Sequence, residues 1–353
     1  MAEEASPLLP RSLGQTMTES LANLCRRLRA VAVLAVLVAG FAATPSFDGA
    51  AAANELGFGA WLAELRSEAI NQGISPATFD LAFAGVQPIP RVIELDRGQP
   101  EFTLTLSQYL DRVIPQKRIE TARAMLAENR PLLEEIGRKY GVQPRFIVAL
   151  WGIESDFGRR MGDFPVIASL ATLAYDGRRP DFFRKELLEA LKILEEGHIS
   201  PDRMIGSWAG AMGQNQFMPS SFRQYAVDYD GDGRRDIWGT RSDIFASIAN
   251  YLSSYGWKAD QTWGRPVQLP AGFDTNLVSL DVEKPISEWQ RLGVRTSTGG
   301  DLPARDLPAS IVQPDGPGGS AFMVYENFKK ILRWNRSTFF ATAVGQLADY
   351  IGH

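Results

Sequence analysis

Apolar residues recur at helical spacing through most of the chain after residue 58, and this periodicity constrains the fold more than any other feature. Ser75 followed by Pro76 predicts the start of one helix, with proline in its first turn. The first apolar stripe consists of Trp61, Leu62, Leu65 and Ala69. We therefore predict a helical N-terminal domain over residues 54–140.

Two further helices are predicted in the segment that follows. Pro144 can open a helix that runs to about Ser155, and Asp181 is predicted to cap a helix that ends at Gly197. The apolar stripe of this second helix consists of Phe183, Leu187, Leu191 and Leu194. Residues 141–262 are therefore expected to form a helical core.

The pattern changes between residues 263 and 324, where short β-like runs alternate with Pro/Gly turns such as the one at 314–319. This pattern predicts a small β-rich domain over residues 263–324. One helix is then predicted from Tyr325 to Ile351, so that the last segment, 325–353, returns to the core. The fold class is mainly α, with the β-rich insertion making it α+β.

The N-terminus carries the features of an export signal. Arg26, Arg27 and Arg29 precede an apolar run at 30–43, which is shorter than a membrane span. We expect residues 1–53 to be a cleaved leader and the mature protein to begin near Asn54 in the periplasm. A retained short anchor is the alternative.

Rare residues narrow the possible chemistry. The chain has two histidines, His198 and His353, and one cysteine, Cys25, so zinc sites built from Cys and His lack ligands. The net charge of −4 gives no general attraction to nucleic acid. If the protein is an enzyme, a carboxylic acid is the expected proton donor.

Glu154 is the strongest catalytic candidate because it stands in an otherwise apolar helical segment at 146–154. At helical spacing it lies over Trp151 and Ile147, so we expect an indole to shelter it. A carboxyl in such a place, near a helix C-terminus, has a raised pKa, as a general acid requires near neutral pH. The alternative is a surface glutamate at a frayed helix end.

Residues 206–221 combine glycines, amides and hydroxyls with interleaved aromatic rings. This mixture suits a sugar, because pyranose hydroxyls need oriented polar partners and the apolar sugar faces rest on rings. A glycine-rich loop followed by a helix capped at Ser220 or Ser221 is the structural alternative.

Several motifs carry a resemblance to the lytic murein transglycosylase B family. They are Trp-Gly-Ile-Glu-Ser at 151–155, Leu-Ala-Thr-Leu at 170–173, Ala-Gly-Ala-Met-Gly to Gln-Phe-Met-Pro-Ser-Ser at 209–221, Leu-Asp-Arg-Gly-Gln-Pro-Glu-Phe at 95–102 and Arg-Trp-Asn-Arg-Ser at 333–337. The resemblance implies a goose-lysozyme-like helical core with an appended helical domain and a small β domain. It also implies cleavage of the MurNAc–GlcNAc bond of peptidoglycan to leave a 1,6-anhydro-MurNAc end.

The same resemblance implies roles for individual residues. Glu154 matches the sole catalytic acid and base, and Asp156 is not expected to be a second catalytic carboxylate. Phe340 stands where a tyrosine is expected, so only ring packing remains there. The residues that match substrate-binding positions are Ser207, Gln216, Phe217, Tyr175, Tyr251, Asn335, Phe340 and the basic pair Arg178 and Arg179, for which a solvated turn is the alternative.

Residues 228–236 read as the opening of an EF-hand-type calcium loop, with carboxylates at alternate positions and Gly233 at the sharp turn. Position twelve is Gly239, and by the family resemblance Asp243 supplies the closing carboxylate. The predicted ligands are Asp228, Asp230, Asp232, the carbonyl of Arg234, Asp236 and Asp243. We expect a weak structural calcium site; an Asp/Gly turn without a cation is the alternative.

Three other functions remain open from sequence. A catalytically idle peptidoglycan-binding scaffold would share the fold, and a muramidase that uses water could also work with one acid. A calcium sensor is disfavoured because the sequence contains a single such loop. We expect no catalytic cofactor, a monomer, and partners limited to glycan strands and possible complexes with other cell-wall enzymes.

Overall fold

The computed structural model describes residues 47–98 and 104–352, with side chains from residue 57 onward. The predicted leader therefore lies almost entirely outside the described residues, which include the backbone of 47–53 as part of a helix. Within the part of the chain that the structure describes, no helix is long and apolar enough to cross a membrane.

The fold class predicted from sequence is confirmed, because helices form most of the described structure. The helices before residue 160 are α1 (Phe47–Asn71), α2 (Pro76–Ala82), α3 (Pro90–Arg97), α4 (Leu106–Val113), α5 (Gln116–Glu128), α6 (Arg130–Tyr140) and α7 (Pro144–Ser155). Those that follow are α8 (Val166–Asp176), α9 (Pro180–Glu195), α10 (Pro219–Tyr225), α11 (Arg241–Ser254), α12 (Ile286–Arg291), α13 (Glu326–Trp334) and α14 (Thr338–Ile351).

Helix boundaries follow local chemistry, with two corrections to the sequence predictions. Ser75 caps α2 as predicted, its side chain accepting from the backbone N–H of Thr78. Asp181 is not the cap of α9: Arg179 occupies that position, Pro180 begins the helix, and Asp181 lies in the first turn. The single helix predicted from Tyr325 is two helices, because Asn335 is extended and Ser337 caps α14.

The β-rich segment forms a five-stranded antiparallel sheet. In space the strands follow the order β4 (Lys284–Pro285), β6 (Pro308–Val312), β7 (Ala321–Val324), β3 (Gly264–Gln268) and β5 (Arg295–Thr296). Val267 pairs with Ala321, and Val312 pairs with Phe322. A separate two-stranded ladder joins β1 (Phe164–Pro165) to β2 (Ile205–Gly206) beside the small-residue loop.

Two hydrophobic clusters organise the described residues. The larger runs from Phe58 in α1 to Ile351 in α14, so the N-terminal helices and the central helices share one core. The smaller is confined to residues 267–325 and is centred on Trp289, whose side chain is fully buried. The β-rich segment therefore buries apolar surface of its own, while α7 lies inside the larger cluster.

Candidate active site

Helix α7 ends just beyond Glu154. Residues 146–152 are buried, which explains the apolar run in the sequence. Asp156 ends the helix in a left-handed conformation (φ 52°), and its backbone N–H donates to the carbonyl of Gly152 at 3.0 Å. The side chain of Ser155 accepts from the N–H of Gly158 at 3.1 Å. Hydrogen bonds therefore cap the C-terminus of α7 and fix the last turn, which carries Glu154.

The carboxyl of Glu154 is half-buried and is bonded by the indole of Trp334. The Trp334 Nε1–H group donates to Glu154 Oε1 at 2.7 Å. Burial raises the pKa of Glu154 to about 8, and the hydrogen bond from Trp334 opposes part of that rise. A group with such a pKa carries its proton at neutral pH and can act as a general acid.

The indole that contacts the acid is not the one predicted from helical spacing. Trp151 is 2% exposed, and its Nε1–H donates to Gln214 Oε1 at 2.7 Å. Its ring packs edge-on against Phe157 and Phe245, with centroid distances of 5.2 and 5.0 Å. Trp151 therefore supports α7 from within the core, and Trp334 supplies the indole at the carboxyl.

An aromatic cluster holds Trp334 in place. Its ring centroid lies 5.1 Å from that of Phe217 and 4.7 Å from that of Tyr251. The Tyr251 hydroxyl donates to the carbonyl of Arg333 at 2.7 Å, fixing the backbone beside the indole. The structure thus brings Phe217 and Tyr251 to the acid through Trp334. Both are buried, so they offer little surface to a ligand.

Asp156 lies two residues beyond the acid but has a different environment. Arg118 donates to its Oδ1 at 3.3 Å and Arg159 to its Oδ2 at 3.0 Å. The hydrogen bond from Arg159, followed by the charge of Arg118, holds the pKa of Asp156 below its usual value. Asp156 is therefore an ionised, paired carboxylate, which agrees with its exclusion as a second catalytic acid.

The loop at 206–217 is held by backbone hydrogen bonds and close glycine contacts. Ser207 pairs with Ala211 twice: its N–H donates to the Ala211 carbonyl at 2.8 Å, and its Oγ accepts from the Ala211 N–H at 3.0 Å. Gln216 adopts a positive φ of 49°, and its Nε2 donates to the carbonyls of Met161 and Gly213. The loop is thus pre-organised, and it carries Phe217 into contact with Trp334.

Tyr175 lies in the last turn of α8, where its ring packs against that of Phe58, and Arg178 and Arg179 lie between α8 and α9. Arg178 pairs with Asp96, which is 2% exposed, through Nε to Oδ2 at 3.3 Å. The Arg179 guanidinium lies over the ring of Phe182, 5.0 Å from its centroid. Both arginines are exposed, so each can offer N–H groups to an anionic ligand.

The structure separates the two remaining predicted site residues. Asn335 is exposed just after α13, and its Oδ1 accepts from the N–H of Ser337 at 3.0 Å. Phe340 is 5% exposed and belongs to the larger hydrophobic cluster. Its burial argues against Phe340 as a substrate contact, because the ring fills the core beneath α14.

The predicted calcium ligands fall into two groups. Carboxylate oxygens of Asp228, Asp230 and Asp232 all lie within 4.8 Å of one another, and Gly231 and Gly233 have positive φ. Three convergent carboxylates on a glycine-rich turn fit a hard divalent cation. We therefore assign these three aspartates as the part of the predicted ligand set that the fold assembles.

Asp236 and Asp243 instead hold the loop by accepting hydrogen bonds from its backbone N–H groups. Asp243 is fully buried and accepts from the N–H groups of Tyr229 and Asp236, each at 2.8 Å. The Asp236 Oδ1 accepts from the N–H groups of Trp238 and Gly239. The close carboxylate cluster consists of Asp228, Asp230 and Asp232, and a ligand role for Asp236 and Asp243 stays a prediction.

A mainly helical fold that shelters a carboxylic acid with a raised pKa beside an indole fits the class of glycan-cleaving enzymes. Lysozyme has a comparable arrangement, with its general acid in an apolar pocket against a tryptophan. Residues 57–349 match the transglycosylase SLT domain family. The chain therefore belongs to the lytic transglycosylase family, whose named members are enzymes.

Similar proteins agree with this assignment. The chain is 34% identical over 252 residues to membrane-bound lytic murein transglycosylase B of Escherichia coli, covering 69% of this chain and 66% of that protein, just under two thirds of its length. SltB3 from Pseudomonas aeruginosa is 50% identical with a TM-score of 0.82, covering 84% of this chain and 79% of that chain, and is solved with NAG-anhNAM-pentapeptide and with NAG-NAM-pentapeptide. Escherichia coli Slt35, solved with calcium, is 27% identical with a TM-score of 0.71, covering 82% of this chain and 92% of that chain.

Sequence reasoning missed Trp334, although it lies within the Arg-Trp-Asn-Arg-Ser motif at 333–337. It also missed Tyr109, whose pKa is raised by burial and then by the charge of Glu154. A tryptophan in the middle of a recognised motif was the available signal. The partner of that tryptophan, 180 residues earlier, was not readable from local spacing.

Proposed function

We propose that this protein is a lytic transglycosylase that cleaves the β-1,4 bond between MurNAc and GlcNAc in peptidoglycan. The observation that carries the proposal is the half-buried Glu154 carboxyl, bonded by Trp334 and with its pKa raised to about 8. Family membership supports the substrate class. The peptidoglycan fragments bound by SltB3 give further support.

Glu154 would act first as an acid and then as a base. Its proton passes to the glycosidic oxygen as the bond from that oxygen to C1 of MurNAc breaks, and GlcNAc leaves with a hydroxyl. The resulting carboxylate then accepts the proton of the MurNAc 6-hydroxyl, whose oxygen forms a new bond to C1. The product is a 1,6-anhydro ring, no water is consumed, and Glu154 is again protonated.

The environment of Asp156 supports a single-carboxylate mechanism. A retaining glycosidase needs a second, free carboxylate as nucleophile, and an inverting one needs a second carboxylate to activate water. Asp156 is bound to both Arg118 and Arg159, so neither role is open to it without breaking an ion pair. An internal hydroxyl can replace both the nucleophile and the water.

We also propose which part of the substrate each polar residue binds. Ser207 and Gln216, on the pre-organised loop, would contact sugar hydroxyl and acetamido groups, with Asn335 at the exposed end of α13. The exposed guanidinium groups of Arg178 and Arg179 would bind carboxylates of the stem peptide, with Tyr175 beside them. The Asp228, Asp230 and Asp232 cluster would hold a structural calcium ion.

The N-terminal segment supports a proposed cellular setting. The arginine-flanked apolar run at 26–43 favours export to the periplasm, where the substrate lies. We propose that the exported protein is a monomer that acts on glycan strands without a catalytic cofactor. Association with other cell-wall enzymes is compatible with this setting.

Digestion of purified sacculi with product identification by mass spectrometry tests the function. We expect muropeptides with 1,6-anhydro ends, lighter than hydrolysis products by one water, about 18 Da, because the 6-hydroxyl takes the place of water. Reducing ends would instead establish a water-using muramidase. Sacculi that bind the protein but release no fragments would establish an idle scaffold.

A further inference from the structure

Trp334 has a chemical property that bears on how the acid works. An indole N–H donates a hydrogen bond and offers no lone pair in the ring plane to accept one. Trp334 Nε1 lies 2.7 Å from Glu154 Oε1, the usual distance for a strong N–H to carboxyl bond. Oε1 must therefore present a lone pair to the indole, whether the carboxyl is protonated or ionised.

Trp334 is held so that this bond keeps its geometry. The ring packs against Phe217 and Tyr251, and the Tyr251 hydroxyl binds the carbonyl of the preceding residue, Arg333. The N–H of Asn335 closes α13 on the carbonyl of Ile331 at 3.1 Å. The indole is thus fixed by packing against two neighbouring rings and by hydrogen bonds to the backbone at the residues before and after it.

We propose that Trp334 is a positioning residue for the reaction. Its indole fixes the catalytic proton on Glu154 Oε2 and keeps its hydrogen bond to Oε1 when the carboxylate forms. This inference rests on the proposed function, because it assigns a role within the acid–base cycle of Glu154. With Oε1 occupied by the indole, Oε2 is the oxygen that gives its proton to the glycosidic oxygen and later accepts one from the 6-hydroxyl.

The same hydrogen bond also affects how easily Glu154 gives up its proton as an acid and takes one back as a base. Burial disfavours the carboxylate, whereas the indole N–H stabilises it, so the two influences act in opposite directions on the pKa of Glu154. Tyr109 from α4 interacts electrostatically with both Glu154 and Arg118 of α5, and Asp156 lies two residues beyond the acid at the end of α7. Arg118 and Asp156 pair with each other, which leaves Trp334 as the direct donor to the carboxyl in the described contacts.

The test compares Trp334→Phe with Trp257→Phe. Trp257 also donates an indole hydrogen bond of 2.7 Å, to Gln143 Oε1, but this bond lies at the opposite end of α7 from Glu154. We expect Trp334→Phe to lower kcat about tenfold with KM changed less than about threefold, and to move the alkaline limb of the pH–rate profile up by about one unit. Trp257→Phe is expected to keep the position of that limb.

An unchanged alkaline limb in folded Trp334→Phe, or an equal shift in Trp257→Phe, would overturn the inference. A second measurement needs no tryptophan variant: the indole ¹⁵N–¹H signals of the eight tryptophans are followed against pH in the intact protein. One indole signal should titrate with the ¹³C carboxyl signal of Glu154, and this titration should vanish in Glu154→Gln. No co-titrating indole would contradict the proposal.

Failure of this inference and failure of the proposed function give different results. If wild-type protein releases no anhydro muropeptides, the function is wrong, whatever the indole signals do. If anhydro products form but the two variants have the same pH–rate profile, the function stands and Trp334 has only a structural role.

Discussion

Glu154 and the aspartate loop at 228–243 use the same functional group in opposite ways. The carboxyl of Glu154 receives an indole N–H in a half-buried place, and its pKa rises to about 8. The carboxylate of Asp228 is also half-buried, but it receives two backbone N–H donors, from Gly231 and Gly233, at 2.7 and 2.9 Å. The number of N–H donors therefore distinguishes the candidate proton carrier from the potential cation ligand.

Asp243 is an intermediate case within the loop. It is as deeply buried as any residue of the core, and burial raises its pKa, yet two backbone N–H groups act in the other direction. The comparison with Glu154 shows that burial alone does not produce a catalytic acid. The acid also needs a shortage of donors and access to a ligand.

The largest expected effect is on activity at Glu154. Glu154→Gln removes the proton while retaining the shape, so release of anhydro muropeptides should fall by about 10³-fold or more. The matched control is Glu134→Gln, at an exposed position on α6 where the carboxyl pairs with Arg130. Activity is measured by muropeptide release from sacculi. Near-normal release by Glu154→Gln would remove this residue from its catalytic role.

The second effect is on stability and has a definite sign. The pKa of Glu154 is about 8 in the folded protein and near 4.5 in an unfolded chain, so between these values the folded state binds the extra proton. The stability that the protonated Glu154 carboxyl gives the folded state is fully present below about pH 4.5 and is lost as the pH rises through about 8. Glu154→Gln should therefore gain unfolding free energy relative to wild type, by an amount that grows from near zero at pH 4.5 to about 5 kcal/mol above pH 8.

Urea denaturation at pH 4.5, 6 and 9 measures this difference. The variant and the wild-type protein should be closest in stability at pH 4.5 and furthest apart at pH 9. A difference that does not vary with pH would mean that the folded protein does not raise the pKa of Glu154.

The third effect concerns calcium at the aspartate loop. Calcium at about 100 times its dissociation constant should stabilise the folded protein by about 2.7 kcal/mol, because only the folded loop assembles the ligands. Thermal denaturation with calcium or chelator measures it, and Asp230→Asn should abolish the difference. Anhydro products should still form in chelator; strict dependence of catalysis on calcium would contradict a structural role.

The smallest effect separates the two kinds of aspartate within the loop. Asp243→Asn places an amide where two backbone N–H groups need acceptors, so it should cost about 2 kcal/mol even in chelator. Asp232→Asn, at an exposed residue that accepts from the N–H of Arg234, should cost less than about 0.5 kcal/mol. Equal costs, measured by urea denaturation, would show that Asp243 does not brace the loop.

Much of the fold could be predicted because local chemistry and local structure agree. Pro144 and the apolar run after it predicted α7 at its observed ends, and Ser75 and Pro76 predicted the start of α2. The break at Asn335 was missed because the apolar periodicity continues across it from α13 into α14. Helical periodicity records which face is buried, and it carries little information about where one helix stops and the next begins.

The sequence by itself determined the mainly helical class and the small β-rich segment, and it singled out Glu154 as the candidate acid, because each depends on neighbours along the chain. Tertiary structure alone decided that Trp334 rather than Trp151 meets Glu154, that Phe340 is buried, and that Asp243 braces a loop. The physical reason is the distance involved. A carboxyl's pKa depends on whatever groups the fold brings within a few ångströms, and these come from helices far apart in the chain.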